Sequence, residues 1–180
     1  MKRLPIRAAA AASLALAGLV LGGCGFTPLY ATPGVSPGLS SIEVAAPKGR
    51  VGYLLREELD DALARDKAVA PNWRLDLEIT QTRDPFGLRR DDVAERYELG
   101  LQVRYTLTEL SSGKVAHTGT VVTHVSYDAA DQPYAGIAAR QDSQQRAAWD
   151  AARKIHLDLV AWMAGGRESL AAQNAAQPAP

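Results

Sequence analysis

The sequence has a single cysteine among its 180 residues and no acidic residue before Glu43. One cysteine excludes an internal disulfide, so the fold must rest on its hydrophobic core. Basic and acidic residues are equal in number, at 20 each, and no basic stretch is interleaved with aromatic residues. This balance argues against a nucleic-acid partner.

The first 23 residues have the pattern of an export signal. Three basic residues precede an apolar run from position 8 to position 21, which is too short to span a bilayer. Two glycines and then the cysteine follow this run. We therefore predict that residues 1–23 are removed after export. The residues that define the pattern are Lys2, Arg3, Arg7, Gly22, Gly23 and Cys24.

The segment Leu21-Gly22-Gly23-Cys24 resembles the lipobox of bacterial lipoproteins. The resemblance implies that the Cys24 thiol carries a diacylglycerol and that the new amine is acylated. Lipidation also removes an unpaired thiol, which would be reactive in an oxidising compartment. Gly25 replaces the aspartate that commonly retains lipoproteins at the inner membrane, which indicates the outer membrane. The alternative is an ordinary secreted protein or an uncleaved membrane anchor.

Proline and glycine are concentrated in residues 24–41, which we predict to be a flexible tether between membrane and domain. Four prolines and glycines between positions 33 and 38 argue against a helix there. Residues 42–165 form the predicted domain. Residues 166–180 are rich in Ala, Gln and Pro and are predicted to be disordered.

The apolar pattern predicts the element order β-α-β-β-β-α. A short strand begins at Ile42, and helical periodicity covers Lys48 to Val69 and Ile137 to Met163. The three segments between the helices alternate apolar and polar residues, and Ser111-Ser112-Gly113 forms a hairpin turn. We therefore expect an α+β fold, with a mainly antiparallel four-stranded sheet and two helices packed on one side.

Residues that could carry chemistry do not form a recognisable catalytic or metal site. His117 and His124 are seven residues apart on one predicted strand, so they lie on opposite faces and cannot share a metal. Asp60-Asp61 and Asp91-Asp92 are adjacent pairs, whose side chains diverge on a helix or strand. No phosphate loop or hydrolase motif occurs. We expect no cofactor, although a lipid-anchored envelope enzyme built from scattered residues is an alternative.

The segment Arg83-Asp84-Pro85-Phe86-Gly87-Leu88-Arg89-Arg90 is predicted to be a loop between two strands. Its three arginines suit phosphate groups, because a guanidinium fork matches their geometry. Phe86 and Leu88 would contact acyl chains or a protein wall. The alternative is a solvated hairpin loop, in which the nearby Asp84 partly neutralises the charge.

The start of the mature chain, Cys24-Gly25-Phe26-Thr27-Pro28-Leu29-Tyr30, resembles the LptE family of lipopolysaccharide-assembly lipoproteins. Its Thr-Pro-Leu-Tyr part is similar to the alphaproteobacterial branch. The strand near Ile42, the helix through Leu54-Leu55 and Leu59, and the predicted element order also match that family. The resemblance therefore covers nearly the whole mature chain.

The resemblance implies a non-enzymatic outer-membrane lipoprotein that plugs and helps assemble the LptD β-barrel and takes part in lipopolysaccharide transport to the outer leaflet. The implied partners are LptD, lipopolysaccharide and the membrane itself, with the domain facing the periplasm or the barrel lumen. Outward residues of the predicted sheet would meet the polar barrel lining, and the loop arginines are candidate lipopolysaccharide contacts. These residues are Glu98, Gln102 and Arg104 for the lining, and Arg83, Arg89 and Arg90 for lipopolysaccharide.

A different binding module is the main competing interpretation. An accessory lipoprotein of an ABC-type envelope lipid transporter can have a lipidated α/β domain of similar size. It would bind an inner-membrane or periplasm-spanning partner instead of a barrel.

Overall fold

The computed structural model describes residues 35–88, 94–129 and 132–166. Cys24, Arg89, Arg90 and the pair Asp91-Asp92 lie outside these ranges. The elements are α1 (Val35–Ser40), β1 (Ile42–Ala45), α2 (Arg50–Ala62), β2 (Trp73–Leu88), β3 (Ala94–Glu109), β4 (Val115–Asp128), α3 (Pro133–Ala161) and a π-helical turn (Trp162–Gly166). The predicted α+β class and element order are confirmed, with α1 added before β1.

The four strands form one sheet in the order β1-β2-β3-β4. β1 is parallel to β2, and the other two pairings are antiparallel. Ile42, Trp73 and Glu109 align at one end of the sheet, which is called the base. The opposite end, where β2 ends and β4 leads into α3, is called the tip.

Alternation along the strands separates a core face from a polar face, as the sequence predicts. Leu99, Leu101 and Val103 of β3 are buried under the helices. Gln102 and Arg104, which alternate with them along the strand, are exposed. Strict period-2 alternation produces this pattern when only one side of a sheet is covered. The uncovered side is called the open face.

The two long helices complete the core and pack against each other as well as the sheet. α3 buries one stripe of residues spaced three or four apart, and α2 buries another, as amphipathic helices do. These residues are Ala148, Ala152, Ile155 and Leu159 on α3, and Leu55 and Leu59 on α2. α2 ends before the predicted Val69, because Ala64 takes a positive φ of 50° and turns the chain.

The expectation that proline and glycine exclude a helix between positions 33 and 38 is wrong. Pro37 lies in the first turn of α1, where its missing N–H has no intrahelical partner to lose. Val35 and Leu39 are one helical turn apart and only 1% and 4% exposed. Gly38 lies against Met163, where a Cβ would be only 2.9 Å from the sulfur. The last part of the predicted tether therefore packs on the domain.

The prediction of a loop from Arg83 to Arg90 is also wrong for those of its residues that the structure describes. β2 continues to Leu88, with Arg83 opposite Leu99 and Pro85 opposite Tyr97 on β3. Proline is tolerated because this stretch of β2 is paired on one side only among the described residues.

Candidate functional site

The open face is the largest polar surface that the described strands build. Most of its charged side chains have a partner on the same face, and with Glu43 and Asp84 the face carries more acidic groups than arginines. The pairs are Arg74–Asp76 and Arg96–Asp128 at 2.9 Å, Glu98–His124 at 3.0 Å and Glu78–Arg104 at 3.4 Å. Exposed ion pairs of this kind contribute little to stability. These groups can therefore exchange partners with another polar surface at small cost.

The structure brings the three predicted contact residues together on this face. Glu98, Gln102 and Arg104 all occupy even positions of β3 and therefore share one face of the strand. Their neighbours across the strands include hydroxyl residues, with Thr80 opposite Gln102 and Thr120 opposite Arg104. Gly100 lies between Thr82 and His124, and a Cβ there would overlap the threonine hydroxyl.

Arg83 lies on the opposite side of the sheet, at the tip. Its guanidinium carbon is 3.7 Å from the centre of the Tyr97 ring, which stacks on Tyr127 at 5.6 Å. This cation–π contact holds the guanidinium in place while the residue stays exposed. Phe86 is 62% exposed and faces the other side of β2, three residues away. The described part of the predicted loop therefore does not present arginine and apolar side chains together.

A half-buried polar cluster that the sequence did not predict joins α3 to the sheet. Asp158 Oδ2 accepts hydrogen bonds at 2.5 Å from the Tyr105 hydroxyl and from His117 Nε2. The His117 ring stacks on Trp162 at 5.5 Å. Burial raises the pKa of Tyr105, and the hydrogen bond and negative charge of Asp158 raise it further. The cluster fastens α3 near the base, since it joins β3, β4 and the helix.

A groove of about 330 Å³ lies between α2 and α3. Its walls carry Glu58 and Asp61 from α2, and Trp149, Arg153 and His156 from α3. Burial lowers the pKa of His156. None of its lining residues is a serine, threonine or cysteine, so this groove offers no hydroxyl or thiol nucleophile. Within residues 35–88, 94–129 and 132–166, no cluster of three or more metal-ligating side chains occurs.

The described residues form a small α+β domain with one hydrophobic core and one polar open sheet face. A family model described as lipopolysaccharide-assembly, LptE, matches residues 39–159, which is most of the chain. The chain belongs to the LptE family. This family consists of non-enzymatic lipopolysaccharide-assembly lipoproteins, so the protein is not an enzyme.

Solved structures of bacterial lipoproteins share the fold. A protein from Caulobacter crescentus CB15 that is assigned as a lipoprotein is 48% identical, with a TM-score of 0.65 over 81% of this chain and 99% of its own. Lipoprotein B from Nitrosomonas europaea is 15% identical, with a TM-score of 0.53 over 71% of this chain and 86% of its own. No curated protein matches the chain significantly.

Family and structural neighbours together identify a lipopolysaccharide-assembly lipoprotein of the cell envelope. In the described ranges, none of the helices has both the length and the apolar character required to cross a membrane.

Proposed function

We propose that this protein is an outer-membrane lipoprotein that plugs the LptD β-barrel, helps it to assemble and takes part in lipopolysaccharide transport to the outer leaflet. The open face is the observation that carries this proposal, together with membership of the LptE family. A wide barrel encloses a polar lumen. A polar face of paired charges and hydroxyl groups suits that lining.

The length of the sheet supports the same role. β2 and β3 have 16 residues each, which at about 3.3 Å per residue makes a hairpin roughly 50 Å long. The apolar band of an outer-membrane barrel is about 25 Å tall. The hairpin is therefore long enough to pass through the lumen and extend beyond it.

The anchor completes the arrangement that we propose. Cys24, which lies outside the described residues, would carry the acyl chains, and the chain from it to Val35 spans at most about 40 Å. α1 contacts the end of α3 and the turn that follows it, near the base. A lipidated Cys24 would therefore hold the base close to the membrane surface and leave the tip free to enter the barrel.

Affinity capture of the tagged, full-length protein from solubilised outer membranes tests the barrel role. We expect an LptD-type β-barrel to be recovered with it, and depletion of the protein to lower the amount of assembled barrel. Capture of an inner-membrane ABC transporter without a barrel would instead support the competing role as a transporter accessory.

The arginines of the predicted loop remain proposed lipopolysaccharide contacts. Charge reversal of Arg83, Arg89 and Arg90 to Glu should weaken lipopolysaccharide binding, because the phosphates would lose their guanidinium partners. Charge reversal of Arg50, Arg56 and Arg153, which lie on the helices, changes the net charge equally and is the matched control, which should bind as the wild type does. Binding measured on immobilised lipopolysaccharide decides this, with circular dichroism confirming an intact fold. Equal binding by the triple variant and the control would end the proposal.

A further inference from the structure

The two outer edges of the sheet differ in how they are protected. On β4, the Lys154 ammonium donates a hydrogen bond of 2.9 Å to the Val122 carbonyl and is held by Asp150 at 2.9 Å. On the other side, β1 pairs only with Trp73 to Asp76 of β2. From Leu77 to Leu88, no described strand pairs with the outer side of β2. Long free edges of this kind are templates for another strand.

The direction of the backbone groups along this edge follows from the pairing at the base. The Trp73 amide donates to the Ser41 carbonyl on the β1 side, whereas the Asn72 carbonyl accepts from Leu110 on the β3 side. Backbone groups alternate along a strand, and the β2–β3 register is regular as far as Phe86. The amides of Leu77, Ile79 and Gln81 therefore point outward, while those of the residues between them bond to β3.

Pro85 limits the usable edge. It occupies an odd position, so its missing N–H lies on the outer side, where it interrupts any further ladder. The edge able to accept a strand thus runs from Leu77 to Asp84. This stretch contains no lysine, proline or glycine that would block pairing.

We propose that the edge of β2 from Leu77 to Asp84 binds an extended segment of the β-barrel partner, which adds to the sheet as a further strand. This inference rests on the barrel role proposed above and specifies one contact by which the barrel is held. It does not require the open face to be the main contact surface.

The side chains along this edge define the chemistry of the incoming segment. Leu77 and Ile79 lie on the helix side of β2, so alternate residues opposite them should be apolar. Glu78 and Asp84 lie on the open face and are exposed, so basic residues opposite them would be favoured. Because every strand of a closed barrel is already paired on both sides, the incoming segment would be an extended loop or terminal segment of the barrel protein.

Hydrogen exchange on the full-length protein, free and in its captured complex with the barrel, tests the proposal. The amides of Leu77, Ile79 and Gln81 should exchange rapidly in the free protein and slow by about tenfold or more in the complex. The amides of Glu78 and Thr80 should be protected in both, since they bond to β3.

A pair of variants provides a second readout. Gln81→Pro removes one outward N–H without breaking the bonds to β3, and the preceding residue is already extended. It should lower barrel capture severalfold. Gln81→Ala, which equally loses the 3.4 Å contact with Gln144, should capture the barrel as the wild type does.

Each contrary result has a distinct meaning. A barrel complex in which the outward amides of Leu77, Ile79 and Gln81 still exchange rapidly would overturn the edge proposal and leave the barrel role intact. Protection of these amides already in the free protein would show that the chain or a second copy fills the edge, which also overturns it. If no barrel is captured at all, the barrel role fails, and the edge proposal, which depends on it, fails as well.

Discussion

Among individual residues, the sequence predicted the faces of two histidines but not the polar cluster that one of them joins. The odd spacing of His117 and His124 predicted opposite faces, and the structure confirms this: His117 bonds to Asp158 beneath the helix, and His124 to Glu98 on the open face. The cluster of Tyr105, His117 and Asp158 was not predictable. Its members are far apart in sequence, and their meeting depends on strand register and on the rotation of α3.

Gly119 provides a test at this scale. It lies opposite Tyr105 on β4, and a Cβ there would overlap the phenol ring. The ring is buried and tied to Asp158, so it cannot move aside easily. Gly119→Ala should lower the free energy of unfolding by about 1–3 kcal/mol, measured by urea denaturation.

A double-mutant cycle supplies the control for that substitution. In a Tyr105→Leu background the overlapping ring atoms are gone, so the same glycine substitution should cost much less. Equal costs in the two backgrounds would show that the packing of Tyr105 over Gly119 is not what excludes a side chain there.

Whole elements were predictable where the pattern is local. Strict alternation identified β2, β3 and β4, and 3–4 spacing identified α2 and α3. The ends of these elements were not predictable. β2, for example, continues through Pro85 to Leu88 because it pairs with β3. α1 was missed for a related reason: Pro37 and Gly38 suggest a tether, and only contacts with distant residues such as Met163 favour a helix.

The packing of α1 can be measured. Leu39→Ala removes a buried side chain from the core and should lower the free energy of unfolding by about 2–4 kcal/mol. Ser36→Ala is the matched control on the exposed side of the same helix and should change it by less than about 0.5 kcal/mol. Urea denaturation of the soluble mature chain gives both values. Similar small effects would mean that α1 contributes nothing to the domain.

For the molecule as a whole, the fold was predictable from the sequence but the candidate site only in part. Period-2 alternation placed Glu98, Gln102 and Arg104 on one outward face, and the structure confirms that placement. The free edge of β2 was not foreseen, because it depends on where β1 stops. α1, which follows the proposed anchor in sequence, lies near the base, and β2 and β3 run from there to the tip.

Site-specific crosslinking from the open face tests this account most directly. A photoreactive residue replaces Gln102 in the protein expressed from its full sequence, and the adducts formed in intact cells are identified by mass spectrometry. Samples kept in the dark provide the control. We predict that irradiation gives an adduct with an LptD-type β-barrel. An adduct with an inner-membrane transporter and none with a barrel would contradict the account.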